Sequence, residues 1–169
     1  MLNRTRTMAL AMAMAVAGMW TAPFHAQAAE PGGAAVLNDL HRSNQEAMEL
    51  GRLAQRKGFS QETRRLGDVV FYDHRASERR VSRLAKTLSV ELVKVPPTQR
   101  PLPTGKAFDA AFAQVLIADH RKDVAAVEEA IDNIAEPQLH KLLNSQLSML
   151  QKHLDAAQKT PGAAAQASR

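Results

Sequence analysis

The sequence predicts an all-α protein, a four-helix bundle with one long connection, and three observations predict it. Apolar residues recur at three- and four-residue spacing in four segments of the 169-residue chain. Short turns separate the first segment from the second and the third from the fourth, whereas a proline-rich stretch separates the two pairs. Aromatic residues make up only 4% of the chain and strand-like runs are few, which disfavours a β-sandwich.

The chain begins with the three-part pattern of a secretory signal peptide. Arg4 and Arg6 precede an uncharged run at residues 8–20, which is shorter than the roughly 18–20 apolar residues of a transmembrane helix. A small-x-small site follows at residues 26–28. We therefore expect cleavage after Ala28 and a periplasmic protein if the source is Gram-negative. No later stretch is apolar enough to span a bilayer.

The predicted organisation follows from this leader and from the four periodic segments. The length suits a single domain. We expect a signal peptide at 1–28, a flexible lead-in at 29–34, the four-helix bundle at 35–158 and a disordered, low-complexity tail at 159–169.

The first two helices are predicted on either side of Gly58. The first covers residues 35–57, and Gly58 ends it. Ser60 and Glu62 then supply an N-cap and a first-turn acid for a second helix over residues 61–90. The apolar stripes are carried in the first helix by Val36, Leu37, Leu40, Ala47, Met48, Leu50, Leu53 and Ala54, and in the second by Leu66, Val69, Val70, Val81, Leu84, Ala85 and Leu88.

Residues 91–104 contain four prolines and are predicted to be extended. Fourteen extended residues at about 3 Å each can run the full length of a helix of about 40 Å. The second and third helices can then run parallel, which is the ferritin-like arrangement. An up-down-up-down bundle with a slack loop is the alternative.

The third helix is predicted after Gly105 and the fourth from Pro137. Pro137 follows Glu136 and is suited to the first helical position. The apolar stripes are carried in the third helix by Phe108, Phe112, Val115, Leu116, Val124, Val127, Ile131 and Ile134, and in the fourth by Leu139, Leu142, Leu143, Leu147, Leu150 and Leu154.

The composition excludes several classes of function. The chain has no cysteine, so it has no disulfide, no thiolate nucleophile and no cysteine-ligated zinc or iron–sulfur site. Ser-x-x-Lys, Gly-x-Ser-x-Gly and P-loop patterns do not occur in the sequence. Nothing in the sequence indicates nucleophilic or phosphoryl-transfer catalysis, and we lean towards a protein that is not an enzyme.

The histidines are the most informative residues. His74 and His120 fall inside the apolar stripes of the second and third helices, and His153 borders that of the fourth. If the long connection crosses the bundle, these three residues and Glu46 and Glu49 fall within about 9 Å along its axis. Inward imidazoles and carboxylates at one level are how bundles build metal centres. The candidate site is His74, His120, His153 and Glu49, with Glu46 and Asp123 as alternates, for iron, copper or zinc.

A structural role for the same histidines is the alternative. Buried histidines are commonly hydrogen-bonded packing residues that need no metal. The Glu-x-x-His pairs of di-iron carboxylate proteins are absent, because Phe71 and Ile117 stand three residues before His74 and His120. A standard di-iron oxidase is therefore not expected.

Four ordered motifs resemble a known family. They lie at residues 49–54, at 73–74, at 108–112 followed by 119–124 in the third helix, and at 147–154. Together they resemble the exported bacterial domain-of-unknown-function family numbered four-one-four-two, assigned to the ferritin-like superfamily, over roughly residues 36–157. The resemblance implies a helical bundle in the periplasm or cell envelope and implies no established activity.

The resemblance also bears on the candidate site. It implies that His74, His120 and His153 stand at recurrent histidine positions of the family, and Glu49 at one of its acidic positions. Many relatives carry a further Glu where this chain has Ala47. That departure removes one ligand unless Glu46 substitutes for it.

The second helix is rich in arginine. Arg75, Arg79 and Arg83 share one face at four-residue spacing. This is either a solvated face or a surface that docks on an anionic envelope. Nucleic acid is not an expected partner of an exported chain with so few aromatic residues.

Two hypotheses of function follow. The favoured one is a non-enzymatic, exported, stress-associated bundle that binds an envelope partner or protects the envelope. The alternative is a metal-binding bundle with a histidine-rich site between helices, with oxidative chemistry as one option. A dimerising scaffold would need an exposed apolar stripe, and the sequence does not fix the oligomeric state.

Overall fold

The computed structural model describes residues 31–160 and residue 163, and this part of the chain contains four α-helices and no strand. Their bounds are α1 Pro31–Lys57, α2 Gln61–Thr87, α3 Lys106–Asn133 and α4 Pro137–Gln158. The predicted all-α four-helix bundle is confirmed. The predicted signal peptide lies outside the described residues, as does most of the tail predicted to be disordered.

The first helix begins earlier than predicted. α1 starts at Pro31, so residues 31–34 are helical and do not belong to a flexible lead-in. Proline suits this position because its φ is fixed near the helical value and its missing N–H is not needed in the first turn. The turn also packs on the bundle, since Gly33 is buried.

The second helix ends three residues earlier than predicted. Leu88 caps α2, and Ser89 adopts a left-handed conformation with φ 54°. The Val90 N–H then donates to the Ala85 carbonyl at 2.8 Å, which is the wide hydrogen bond of a Schellman end. The sequence does not predict this end, because the residue at the left-handed position is usually a glycine and here it is a serine.

The connection between α2 and α3 crosses the bundle. α1 packs against α2 and α3, and α4 packs against α3 and α2, so α2 and α3 lie on a diagonal. Asp109, in the first turn of α3, accepts hydrogen bonds from the Phe59 and Ser60 N–H groups at 2.8 and 2.9 Å. α2 and α3 therefore start at the same end and run parallel, which excludes the up-down-up-down alternative.

The connection is held along α1 as it crosses. The Val93 N–H donates to Asn38 Oδ1 at 2.8 Å, near the start of α1. Five residues later, the Thr98 N–H donates to Glu49 Oε2 at 2.7 Å. These bonds replace the regular hydrogen bonds that an extended segment lacks.

α1 and α2 approach each other closely at two glycines. A Cβ on Gly67 would lie 2.7 Å from Ala54 Cβ and 2.8 Å from the Gly51 carbonyl oxygen. A side chain at this position therefore forces the two backbones apart. The contact fixes the register of α1 against α2, and so the height at which their inward side chains face the core.

The core consists of two apolar clusters separated by a polar layer. The turn-side cluster, near the α1–α2 turn, contains Ala47, Leu50, Ala54, Leu66, Val70, Phe108, Phe112, Leu116 and Ala157. The far cluster, at the other end, contains Leu37, Leu40, Val81, Leu84, Ala85, Leu88, Val127, Ala130, Leu139, Leu142, Leu143 and Leu150. The polar layer contains Asn44, His74, Ser77, His120, Gln146 and His153, each at most 5% exposed.

None of the helices in the described part of the chain has the length and the hydropathy that a membrane span requires.

Candidate metal centre

Three histidine side chains from three helices meet in the polar layer. His74 Nε2 of α2 lies 3.3 Å from His120 Nε2 of α3, which lies 3.1 Å from His153 Nδ1 of α4. The exposed fractions of the three side chains are 0, 1 and 2%. Among the histidines and carboxylates that the structure describes, only these three form a group of three or more whose ligand atoms all lie within 4.8 Å of one another. The prediction that they face one another is confirmed.

Helical periodicity puts each imidazole in the core. His74 follows Val70 by one turn, His120 follows Leu116 by one turn, and His153 follows Leu150 by three residues. All three preceding apolar residues are fully buried. The imidazoles are therefore held inward by the apolar packing on the same helical faces. The three rings are mutually adjacent, with centroids 5.2–5.3 Å apart.

A network of amide and hydroxyl groups fixes the tautomer of His74. Gln146 Nε2 donates to Asn44 Oδ1 at 3.2 Å, and Asn44 Nδ2 donates to Ser77 Oγ at 3.3 Å. Ser77 Oγ in turn donates to Gln146 Oε1. Asn44 Oδ1 is therefore an acceptor, and His74 Nδ1, 2.9 Å away, carries the proton. The Nε2 lone pair of His74 consequently faces the other two histidines.

A carboxylate fixes the tautomer of His153. His153 Nε2 lies 3.1 Å from Asp73 Oδ2. An ionised carboxylate only accepts hydrogen bonds, so Nε2 carries the proton and the Nδ1 lone pair faces the cluster. Carboxylate–histidine pairs of this kind orient the imidazole ligands of metal ions and raise their basicity.

His120 is the least satisfied of the three histidines. Its Nε2 lies between the lone pairs of His74 and His153, and its single N–H can serve them only as a shared donor. Among the described residues, none forms a hydrogen bond with His120 Nδ1. The centre thus gathers more lone pairs than the available protons satisfy, which is the arrangement that a cation would complete.

Burial keeps the cluster neutral. It lowers the pKa of His74 well below the ordinary value, and charge on His120 and His153 would lower it further. Burial, with His153 nearby, lowers the pKa of His120 to about 3. Burial also lowers the pKa of His153, although the hydrogen bond and the charge of Asp73 oppose this. All three imidazoles are neutral at pH 7, the form that binds metals.

The structure does not bring the predicted carboxylates to this cluster. Glu49 accepts the Thr98 N–H of the crossing connection, and Glu46 pairs with Arg100 at 3.3 Å. Asp123 accepts a hydrogen bond from Ser43 Oγ at 2.5 Å. Burial raises the pKa of Asp123, and the charges of Asp119 and Glu46 add to the rise, whereas the Ser43 hydrogen bond opposes it.

Sequence reasoning missed three residues that support the histidines, and it did not pair Asp73 with His153. Asn44 and Gln146 interrupt the apolar stripes of α1 and α4 at helical spacing, and Ser77 does so in α2. A polar residue at a position of an apolar stripe is the signal by which these three residues could have been recognised. Asp73 stands next to His74 in the sequence but contacts His153, and this pairing depends on how α2 and α4 are placed against each other.

The fold and this cluster define a class: a helical bundle with a buried three-histidine centre and a crossing connection. Residues 20–160 match the family described as "Domain of unknown function (DUF4142)", and the chain belongs to this family. The family resemblance seen in the sequence is thereby confirmed. Neither the curated proteins nor the solved structures include a significant match to this chain.

Proposed function

We propose that this protein binds a single transition-metal ion on His74, His120 and His153. The observation that carries the proposal is the convergence of three neutral imidazole nitrogens, two of them with lone pairs directed inward by hydrogen bonds on the opposite side of the ring. A bundle that needed only packing at this level would be served by apolar side chains.

The spacing of the nitrogens supports the proposal. A tetrahedral ion with metal–nitrogen bonds of about 2.0–2.1 Å holds its ligand nitrogens about 3.3–3.4 Å apart. Two nitrogen–nitrogen distances in the cluster are 3.3 and 3.1 Å, and the three ligand nitrogens all lie within 4.8 Å of one another. Small movements of the side chains would therefore bring all three nitrogens onto one ion.

The donor set narrows the choice of metal. Neutral imidazole suits zinc, copper, iron and nickel, and no thiolate competes because the chain has no cysteine. Among the iron, copper and zinc expected from the sequence, three imidazoles with one remaining position fit zinc and copper best. A bound ion of this kind supplies a Lewis-acid centre.

We propose a role in binding or holding the metal rather than in catalysis. The cavity that borders His120 has a volume of about 50 Å³, which accommodates a water molecule but not an organic substrate. The full burial of the three imidazoles likewise supports tight retention of an ion over turnover of a substrate.

We also propose that the protein is exported, to the periplasm of a Gram-negative source, and that it belongs to the ferritin-like superfamily. The three-part leader supports export, and the crossing connection supports the superfamily. The exposed Arg75, Arg79 and Arg83 on α2 support docking on an anionic envelope surface. Mass spectrometry of the mature protein should find Ala29 at its N-terminus.

Titration of metal-free mature protein with Zn²⁺ and Cu²⁺, followed by calorimetry and elemental analysis, tests metal binding. We expect one equivalent to bind. Each of His74→Ala, His120→Ala and His153→Ala should weaken binding about 100-fold or more, since each removes one of three ligands. Asp73→Asn should weaken it about 10–100-fold, because it acts through His153.

Two matched variants serve as controls. His140→Ala removes an α4 histidine that contacts Asn144 rather than the cluster, and Glu49→Gln removes a carboxylate that the structure places against the connection. Both should retain wild-type affinity. Less than a tenth of an equivalent bound to the wild-type protein would refute the proposed function.

A further inference from the structure

We propose that divalent cations reach the histidine cluster through a small carboxylate-lined cavity between α1 and α3, and that Arg100 of the crossing connection gates this route. The inference rests on the proposed metal binding and adds how the buried site is loaded. It concerns Glu46 and Asp123, which the sequence had suggested as ligands, together with Asp119.

The cavity joins the protein surface to one imidazole of the cluster. Its volume is about 50 Å³, and His120 forms part of its wall. His120 is only 1% exposed, and its Nδ1 has no hydrogen-bond partner among the described residues. The same ring faces His74 and His153 through Nε2. His120 therefore separates the cavity from the cluster. The polar side chains around the cavity are those of Ser43, Glu46, Asp119, His120, Lys122 and Asp123.

The charge of the cavity wall favours cations. Glu46, Asp119 and Asp123 place three carboxylates there against the single ammonium of Lys122. A cleft lined by one sign of charge raises the local concentration of the opposite ion and its association rate by about 10- to 1,000-fold. Oxygen ligands bind zinc and copper less strongly than imidazole does, so capture followed by transfer to the histidines is favourable.

Arg100 forms ion pairs with two of the carboxylates in the cavity wall. Its Nη1 lies 2.7 Å from Asp119 Oδ2 of α3, and its Nη2 lies 3.3 Å from Glu46 Oε2 of α1. One guanidinium therefore bridges the two helices and offsets one unit of the negative charge that Glu46 and Asp119 carry together. An arriving cation would take over both carboxylates and release Arg100. Because Arg100 belongs to the irregular connection, this release does not disturb a helix.

The opposite face of the cluster is a poorer entrance for a cation. There Asp73 is half-exposed and borders a cavity of about 320 Å³ between α2 and α4. This larger cavity is lined by Arg80 and Lys152, and Arg80 holds Ser145 Oγ at 2.9 Å. Two cations facing one carboxylate repel an approaching metal ion. The smaller but acidic cavity is therefore the assigned route.

Stopped-flow mixing of metal-free mature protein with Co²⁺, followed by visible absorption of the bound ion, tests this route. The double variant Glu46→Gln/Asp123→Asn should slow association about tenfold and reduce its dependence on salt, since it removes the attracting charge. Arg100→Ala should accelerate association severalfold. The two variants are thus expected to change the rate in opposite directions, which a general loss of folding would not do.

The matched control is Glu128→Gln/Glu129→Gln, which removes two exposed charges from the same α3 helix and should change the rate less than twofold. If the Glu46/Asp123 variant keeps the wild-type association rate and loses Co²⁺ by faster dissociation, these carboxylates hold the ion and the entry route is refuted. Equal rates for Arg100→Ala and wild type would refute the gate. Absence of Co²⁺ binding to the wild type is a separate result, because it refutes the metal site itself.

Discussion

The polar layer and the two apolar clusters that flank it differ in what stabilises their buried side chains. In the far cluster, Leu139, Leu143 and Leu150 are fully buried and need no partner other than their neighbours. In the polar layer, six buried side chains must each find hydrogen bonds to offset their desolvation. Most of them do, but His120 Nδ1 does not. This layer is costly to bury and incompletely satisfied, which is what the proposed metal site would explain.

The two sides of the polar layer also differ from each other. His74 is held by the neutral amide of Asn44, whereas His153 is held by the charged carboxylate of Asp73. The first partner is buried and fixed by a closed network, and the second is half-exposed. His153 is therefore the more basic of these two imidazoles.

The largest expected effect is that of acid on the free energy of unfolding, because the polar layer contains buried titratable groups and the apolar clusters do not. The pKa values of His74, His120 and His153 lie below the ordinary 6.5 in the folded protein, and that of His120 lies at about 3. Below pH 6.5 the unfolded chain binds more protons than the folded one, so stability is fully present above that pH and is lost as the pH falls. Each histidine contributes up to about 1.4 kcal/mol per pH unit. Chemical denaturation of metal-free protein from pH 7 to 4 measures the slope.

Two variants test whether the pH dependence of the free energy of unfolding comes from the histidine cluster. His120→Leu should make the pH dependence shallower by about a third, because one of the three buried imidazoles no longer titrates in the unfolded state. His140→Gln, outside the cluster, should leave the steep slope of the wild type. Equal slopes for wild type and His120→Leu would contradict the assignment of the acid sensitivity to the layer.

The apolar positions and the presence of the histidines in the core were predictable, but their partners were not. Periodicity alone places His74 beside Val70 and His120 beside Leu116, since both share a helical face. The contacts of Asp73 with His153 and of Glu49 with Thr98 join residues 80 and 49 positions apart. They depend on the rotation of each helix and on the path of the connection, neither of which is encoded in local spacing.

The ends of the helices likewise divide into those that the sequence predicts and one that it does not. Ser60 and Pro137 carry standard signals, and α2 and α4 begin where these predict. The end of α2 has no glycine, and Ser89 takes the left-handed position instead. There the predicted helix through residue 90 was wrong, and Leu88, which caps α2, is buried in the far cluster.

Truncation in the far cluster should produce the next largest effect, and it should not alter metal binding. Leu143 is fully buried, so Leu143→Ala removes packed atoms and leaves a cavity at a cost of about 2–5 kcal/mol. The free energy of unfolding, from urea titration with and without Zn²⁺, should fall by the same amount in both conditions. A loss of the stabilisation by Zn²⁺ in this variant would show that cluster and layer are not independent.

The smallest expected change in the stability of the metal-free protein is that of a substitution in the polar layer. His120→Leu removes a shared donor from two acceptors but also removes a buried nitrogen without a partner, so we expect a change within about 1 kcal/mol. Zn²⁺ at about a thousandfold above its wild-type dissociation constant should add about 4 kcal/mol to the wild type. It should add about 1.4 kcal/mol or less to His120→Leu, because binding about 100-fold weaker or more leaves the ion at most about tenfold above the dissociation constant of the variant. The two variants would then have opposite effects. Leu143→Ala would lower the stability of the metal-free protein and keep the stabilisation by Zn²⁺, whereas His120→Leu would keep that stability and lose most of the stabilisation by Zn²⁺. If metal-free His120→Leu were instead destabilised as much as Leu143→Ala, the layer would be a packing network, because its hydrogen bonds would then contribute what the apolar clusters contribute by burial.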